Sequence, residues 1–223
     1  MYVENTEGSC GNLYLYLVNI THRHKKINFR LNRRLKAILV GSLLGDANIN
    51  KRGSCHRALF KHSGRQRCLL AWKRQEFDSI TGMGINDFQQ VVKGNIYDFC
   101  QFVTLTHPEF SAIHSIFYSP KRGKIVPVNV VELIKDPISL AVWIMDDGAK
   151  DNVGMTIQTH SFSKKEVKRL IQALKSNFNL LCTMRKNKGK FIMYFPKSQI
   201  PKLWRLVRAH ILPEYRYKFP LTP

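Results

Sequence analysis

Apolar positions recur at helical and at strand spacing in a fixed order, and that order occurs twice along the chain. The first half predicts these elements: a buried helix over 33–45, strands within 51–67, a helix over 66–77, a hairpin turning at 93–95 and a helix from Pro108. Asn32 is the predicted N-cap of the first helix. Because this helix is apolar on nearly all sides, we expect it to be buried.

The second half repeats this order. Its predicted elements are a buried helix over 137–147, a strand over 153–160, a helix that follows a capping box at Ser163 and Glu166, a hairpin around Lys188–Gly189 and a helix from Pro201. Asp136 is the predicted N-cap of the buried helix. The repetition indicates an internal duplication in which each half combines helices with an antiparallel sheet. The predicted fold class is therefore α+β.

The duplication divides the chain into three predicted regions. They are an N-terminal extension over 1–30, a first half over 31–122, and a linker with the second half over 123–223. Within the extension, the apolar stretch 13–20 is short, and a strand or a leader explains it better than a membrane anchor. The longest apolar runs of the chain span roughly nine residues, far below the ~20 of a membrane span.

The balance of charge indicates a polyanionic partner. Lysine and arginine number 36 against 15 acids, which gives the 223-residue chain a formal net charge of +21. Nucleic acid is the favoured partner, because no basic helix has the clean apolar face that lies on an anionic membrane. The five cysteines are widely spaced without a Cys-x-x-Cys pair, which argues against disulfides and a zinc site and favours a reducing compartment.

Each half opens with a buried helix, and each of these helices ends in acidic residues. Asp46 follows the first, and Asp146 and Asp147 end the second. The negative end of the helix dipole disfavours an acid by about 1 kcal/mol or less, and a bound cation reverses that penalty. Gly41 and Gly45 on the first helix would permit close helix packing. The carboxylates would then meet in a site for Mg²⁺ that faces phosphodiesters and hydrolyses them. The structural alternative is an ordinary helix end, where aspartate before glycine is common.

The segments "LVGSLLGDA" (39–47) and "LAVWIMDDG" (140–148) resemble the two signature motifs of the LAGLIDADG homing endonucleases. The resemblance extends over roughly 33–221 and includes "KIVPVNVVELIKDP", "QTHSFSKKEV" and "LPEYRYKFP". The sequence departs from the motifs at three positions, which are Ala47, Val142 and Asp146. Since Val142 and Asp146 replace small residues, we expect the helix contact to be less close on the second side.

The resemblance implies two αββαββα halves related by a pseudo-twofold axis, with two antiparallel sheets forming a saddle for DNA. It implies that Asp46 and Asp147 are catalytic and hold Mg²⁺, with Mn²⁺ as a possible substitute, and that Asp146 is a non-catalytic neighbour. Lys124 and Lys218 correspond to the active-site lysines, one in each half. The alternative for each lysine is a plain contact with the DNA backbone.

If the sheets hold DNA, polar and basic side chains should line their solvent faces. Arginine and glutamine suit base edges, and lysines in loops suit phosphates. The predicted DNA-binding residues are Arg52, Arg57, Lys61, Gln158, His160, Arg185, Lys186, Lys188 and Lys190.

The predicted function is a monomeric, intron-encoded endonuclease that cuts double-stranded DNA at a long recognition site. One alternative is an RNA maturase that binds its host intron RNA and aids group I splicing on the same scaffold. Another is a DNA-binding module without enzymatic activity. Both aspartates and both lysines are retained, which favours the nuclease. Proteins of this kind are often encoded in organelle introns, so the expected location is a chloroplast or a mitochondrion, with no membrane partner.

Overall fold

The structure, a computed structural model, describes residues 28–220. The predicted strand or leader over 13–20 lies outside the described residues. Within them, no helix is both long enough and apolar enough to cross a membrane.

The first half has the element order αββαββα. Its elements are α1 (Arg33–Leu44), β1 (Asn48–Arg52), β2 (Cys55–Ser63), α2 (Arg67–Glu76), β3 (Asn86–Val92), β4 (Asn95–Val103) and α3 (Pro108–Phe117). The four strands form an antiparallel sheet in the order β1-β2-β4-β3. The β3–β4 turn uses left-handed backbone at Lys93 and Gly94, where the hairpin was predicted.

The second half repeats this order after a short connection. The connection contains β5 (Tyr118–Ser119), β6 (Gly123–Lys124) and α4 (Val130–Leu133). The repeated elements are α5 (Pro137–Asp147), β7 (Gly148–Asp151), β8 (Gly154–Gln158), α6 (Lys164–Phe178), β9 (Thr183–Asn187), β10 (Lys190–Phe195) and α7 (Ile200–Val207). The sheet order is β7-β8-β10-β9, which matches that of the first half. The α+β class and the αββαββα organisation are therefore confirmed.

The predicted helix starts are confirmed by their capping contacts. The Asn32 side chain accepts from the Leu35 amide at 2.9 Å, and that of Asp136 accepts from the Ile138 amide at 3.2 Å. Ser163 and Glu166 form the predicted capping box at the start of α6. These contacts satisfy amides that would otherwise lack partners in the first turn of each helix.

Helices α1 and α5 pack directly against each other at the centre of the molecule. A Cβ added at Gly41 would lie 2.3 Å from the Ser139 carbonyl oxygen, and one at Gly45 would lie 2.6 Å from the Asp146 Cβ. Gly41 within α1 and Gly45 just after it thus make room for the larger residues of α5. The looser contact that Val142 and Asp146 were expected to cause is absent between these helices, because the missing side chains on α1 compensate for it.

Glu166 joins the start of α6 to the connection between the halves. Its carboxylate accepts from Arg122 Nη2 at 2.8 Å and from the Val126 amide at 3.2 Å, besides its capping-box contact with Ser163. Burial alone would raise the pKa of this carboxyl, but these hydrogen bonds hold its pKa at about 2. Its ionised form therefore stabilises the fold above pH 4.5, and this stabilisation is lost as the pH falls towards 2.

We expect Glu166→Gln to lower the free energy of unfolding at pH 7 by about 3 kcal/mol, because it removes charge-assisted hydrogen bonds. The loss should shrink in acid, because the carboxyl of the unfolded chain takes up a proton below about pH 4.5 while that of the folded protein stays ionised down to about pH 2. Urea unfolding at pH 7 and pH 3 measures both effects. Glu132→Gln is the matched control, since the Glu132 carboxylate is exposed on α4. Equal stability of the two variants at pH 7 would contradict this account.

Candidate active site and nucleic-acid interface

The close packing of α1 against α5 brings the two acidic helix ends together. Asp46 lies just beyond α1, and its backbone amide faces Asp146 Oδ2 at 3.4 Å. Asp147 is the last residue of α5 and is half-buried beside this contact. The structure therefore gathers Asp46, Asp146 and Asp147 at one end of the central helix pair, where the sequence predicted that the carboxylates would meet.

The carboxyls of Asp46 and Asp147 have opposite electrostatic environments. Burial, together with the charges of Asp46 and Asp146, raises the pKa of Asp147 to about 8. Burial also raises the pKa of Asp46, but the contact and charge of His62 outweigh it and leave the pKa below its usual value. Carboxyls that are crowded together in this way repel one another when ionised, and a divalent cation would stabilise their ionised form. The donors of Asp46 and Asp147 therefore fit a hard ion such as Mg²⁺.

Lys124 and Lys218 occupy equivalent positions in the two halves. Lys124 Nζ donates to the Gly45 and Ala47 carbonyls at 2.7 and 3.0 Å, at the end of α1. Lys218 Nζ donates to the Met145 and Asp146 carbonyls at 2.6 and 3.1 Å, at the end of α5. Each ammonium thus satisfies helix carbonyls that lack amide partners. The pKa of both lysines lies below its usual value, because the effect of burial outweighs that of the neighbouring aspartates, which raise it.

Asp146 is held by a lysine that the sequence analysis did not single out. The side chains of Asp146 and Lys73 are both fully buried, and Lys73 Nζ lies 2.7 and 2.9 Å from the two carboxylate oxygens. Lys73 belongs to α2 of the first half, so this ion pair joins the two halves. The sequence does carry a signal that Lys73 is buried. Leu69 and Phe77, four residues before and after it, are buried and share its side of the helix.

His62 on β2 completes this group of side chains. Its Nε2 lies 3.2 Å from Lys73 Nζ, and its Nδ1 lies 3.4 Å from Asp46 Oδ2. Donor atoms of Asp46, His62 and Asp146 lie within 4.8 Å of one another, a spacing compatible with a metal ion. However, the Lys73 ammonium already supplies positive charge at the Asp146 carboxylate. This arrangement leaves Asp46 and Asp147 as the carboxylates that fit a cation.

Each sheet has one face packed against helices and one open face. In the second sheet Met155, Ile157, Met193 and Phe195 are fully buried on the helix side, so the alternate positions point to the open face. Strand register assigns six of the predicted DNA-binding residues to the open faces. They are Arg52, Arg57, Lys61, Gln158, Arg185 and Lys190.

The other three predicted residues lie elsewhere. Lys186 pairs with Phe191 and shares the helix side with Met184, so it points away from the open face that Arg185 occupies. Adjacent residues of a strand point to opposite faces, and the sequence reasoning did not separate these two neighbours. Lys188 lies in the β9–β10 turn with a positive φ of 48°, and His160 is exposed beyond the end of β8.

The open faces also carry polar and aromatic side chains that the prediction missed. Lys61 Nζ donates to Gln90 Oε1 at 2.6 Å and lies over the ring of Phe99. The Arg185 guanidinium lies over the ring of Tyr194. Further members of these faces are Asn50, Asn86, Gln101 and Thr183. Counting alternate positions outwards from each hairpin turn would have found them, and asparagine and glutamine amides suit adenine edges.

The fold combines two like sheets, each with a polar open face, with paired acids where the central helices end. This combination defines an architecture of the homing-endonuclease class. The family model described as the LAGLIDADG DNA endonuclease family matches residues 36–203, and the chain belongs to this family.

Relatives and a solved structure agree with this membership. The chain is 30% identical over 218 residues to the cytochrome b mRNA maturase bI2 of Debaryomyces hansenii, which covers 93% of this chain and 82% of that protein. It is 29% identical over 203 residues to the probable intron-encoded endonuclease 1 of Wickerhamomyces canadensis, with 87% of both chains covered. The structure of the homing endonuclease I-WcaI bound to its DNA recognition sequence matches with a TM-score of 0.82 and 28% identity, over 92% of this chain and 93% of that one.

Proposed function

We propose that the protein is a monomeric, site-specific endonuclease that cuts both strands of DNA and is encoded in an organelle intron. The observation that carries the proposal is the meeting of Asp46 and Asp147 at adjacent helix ends, in a chain with two polar open sheets. The net charge of +21 suits a long DNA duplex as substrate. The probable intron-encoded endonuclease of Wickerhamomyces canadensis supports both the activity and the intron origin, and the homing endonuclease I-WcaI supports the activity.

In this proposal Asp46 and Asp147 hold Mg²⁺, for which Mn²⁺ can substitute. Such an ion lowers the pKa of bound water and stabilises charge on the phosphate during hydrolysis. Lys124 and Lys218 fix the two helix ends through carbonyl contacts and add positive charge beside the acids. Lysines so placed would favour the extra negative charge that develops on the phosphate in the transition state.

The proposal is tested by incubating the purified protein with randomised double-stranded DNA in Mg²⁺ and sequencing the cut ends. Cutting at one long motif is expected, with none in EDTA. Intact DNA under every metal condition, from protein that is folded and binds DNA, would overturn the proposal. The recovered motif then serves as the substrate for the variants described below.

Arg185 and Lys186 offer a matched test of the DNA-binding face, because they are adjacent in β9 and point to opposite sides. We expect Arg185→Gln to weaken binding to the recovered site by roughly tenfold, as for loss of one good base or phosphate contact. Lys186→Gln removes the same charge from the other face and should change affinity little. Fluorescence anisotropy at fixed salt measures both. Equal weakening by the two variants would contradict the assignment of faces.

A second candidate is an RNA maturase on the same scaffold. It is favoured by a groove of about 810 Å³ beside α7, which Lys150, Lys197, Arg205 and Arg208 line together with Trp204. None of the described residues that line it is acidic. Lys150 pairs with the buried Met155, so the groove opens on the helix side of the second sheet rather than on the face proposed for DNA. The relative from Debaryomyces hansenii is named an mRNA maturase, which makes RNA the anion to test at this groove.

Two variants separate these candidates. Asp147→Asn should abolish DNA cleavage and leave any splicing of the host intron intact. Lys197→Glu combined with Arg205→Glu should weaken binding to the intron RNA and leave DNA cleavage unchanged. Filter binding and a splicing assay provide the measurements. Intron RNA that binds the groove variant as tightly as the wild type would remove the groove from the maturase hypothesis.

A further inference from the structure

A chain of four polar side chains connects the second half to the first half beneath the candidate active site. Asp146 comes from α5, while Lys73, His62 and Asp46 come from the first half. The contacts run from Asp146 to Lys73 at 2.7 Å, from Lys73 to His62 at 3.2 Å and from His62 to Asp46 at a salt-bridge distance of 3.4 Å. His62 Nε2 also lies 3.7 Å from Asp146 Oδ1. Only the Asp46 end reaches solvent, with 44% of its side chain exposed.

Packing alone does not require an acid at position 146. The Asp146 side chain fills space that Gly45 leaves free, and an uncharged side chain of the same size would fill it equally well. An ion pair with both members fully buried carries a large desolvation cost, which good geometry and further hydrogen bonds only partly offset. The pair here has short contacts to both carboxylate oxygens. Its presence in the centre of the molecule therefore calls for a role other than filling the helix interface.

The geometry indicates what the pair holds in place. Lys73 Nζ lies on the Nε2 side of the His62 ring, and the Asp46 carboxylate lies on the Nδ1 side. Among the described residues, His62 is the only basic side chain within salt-bridge range of that carboxylate. The orientation of His62, and with it the position of the Asp46 carboxylate, therefore depends on Lys73. The backbone amide of Asp46 instead faces Asp146 Oδ2 directly, at 3.4 Å. Lys73 is in turn fixed by Asp146 of the opposite half.

We propose that Lys73 and Asp146 are positioning residues for DNA cleavage, which act through His62 to hold the Asp46 carboxylate in place. This inference rests on the proposed endonuclease function. The inference gives Asp146 a role beside Asp147. Asp146 would align Asp46 of the first half with the second half. Asp147 itself lies outside this chain of contacts. At its end of α5, the Met145 and Asp146 carbonyls accept from Lys218 Nζ.

The first test is a double-mutant cycle with Lys73→Met, Asp146→Ala and the combination of both. Each single variant leaves a buried charge without its partner, so each should lower the melting temperature by several degrees. The double variant has no unpaired charge and should recover most of that loss. Additive losses in the double variant would show that the two residues are not coupled and would overturn the inference. This readout needs no cleavage activity.

The second readout is the single-turnover cleavage rate at saturating DNA. The double variant is expected to bind the recovered site in EDTA as the wild type does. It should cut that site about 10- to 100-fold more slowly, as is common for loss of residues that support metal ligands. A double variant that folds, binds and cuts at the wild-type rate would reduce the pair to a structural role and overturn the inference.

His62→Gln keeps the experiment decisive if the double variant fails to fold. It leaves the buried ion pair intact and removes only the ring that connects Lys73 to Asp46. We expect a melting temperature near that of the wild type with cleavage at least about tenfold slower. Cleavage by His62→Gln at the wild-type rate would overturn the inference. A wild-type protein that cuts no DNA would instead overturn the proposed function, while the coupling in the melting temperatures would still be measured.

Discussion

Asp147→Asn is expected to reduce DNA cleavage by at least about 10³-fold while leaving DNA affinity close to that of the wild type. The amide is a poorer ligand for a hard cation than the carboxylate. Metal assistance contributes several kcal/mol to such reactions, and each 1.36 kcal/mol corresponds to a tenfold change in rate. Single-turnover cleavage of the recovered site in Mg²⁺ measures the loss. Asp78→Asn is the control, because Asp78 is exposed on the first half and pairs with Arg74.

The same variant has a second expected effect that does not depend on activity. Since the pKa of Asp147 is raised to about 8, the folded protein holds this proton more tightly than the unfolded chain. Stability without metal should therefore fall as the pH rises from about 4 to about 8, and Asp147→Asn should be less sensitive over this range. Melting temperatures in EDTA measure the difference. Normal cleavage by Asp147→Asn would remove Asp147 from the site.

Gly41→Ala is expected to lower the free energy of unfolding by at least about 2 kcal/mol, although alanine favours a helix by about 1 kcal/mol. The added Cβ would lie 2.3 Å from the Ser139 carbonyl oxygen, and backbone at that position cannot move aside without separating α1 from α5. Cleavage should fall as well. A displacement of about 1 Å at a reacting group can cost about 10²-fold in rate, and Asp46 lies just beyond α1.

Gly84→Ala is the matched control for this substitution. Gly84 is exposed, and a Cβ added there would meet no heavy atom within 4 Å. Urea unfolding and cleavage of the recovered site should both stay at wild-type values. If Gly41→Ala behaves like Gly84→Ala in both assays, the two helices do not pack as closely as described.

Much of the fold was predictable because local signals and hydrophobic periodicity agree in this chain. The caps at Asn32 and Asp136 and the capping box at Ser163 mark helix starts in the sequence itself. The hairpin turns at 93–94 and 188–189 are equally local signals. The repeated order of elements then led directly to the α+β class and to the meeting of the two acidic helix ends.

Features that depend on long-range pairing were not predictable in this way. Strand β7 (Gly148–Asp151) has no apolar alternation of its own and forms because it pairs with β8. The contact of Lys73 with Asp146 joins residues 73 positions apart, and no local pattern encodes it. The face of Lys186 required the register of β9 against β10. Gly45 was predicted to allow close packing, but the acid that fills its space became evident only in three dimensions.

The two halves share a topology but differ at the candidate site. Lys124 and Lys218 hold the two helix ends in equivalent ways, so the duplication extends to these contacts. The Lys73–Asp146 ion pair takes its lysine from the first half. Burial and the neighbouring acids raise the pKa of Asp147, whereas His62 of the first half lowers that of Asp46. The internal symmetry of the fold therefore does not imply equal roles for the two carboxylates.

The central claim is that Asp46 and Asp147 together hold the metal ion, and Mn²⁺ binding followed by electron paramagnetic resonance tests it most directly. The sample is the complex with the recovered DNA site, prepared with the wild type, Asp46→Asn, Asp147→Asn and the Asp78→Asn control. We predict that Mn²⁺ binds to the wild-type and control complexes and is lost or strongly weakened in the other two, with DNA still bound. Equal Mn²⁺ binding by all four complexes would contradict the claim and move the metal site elsewhere.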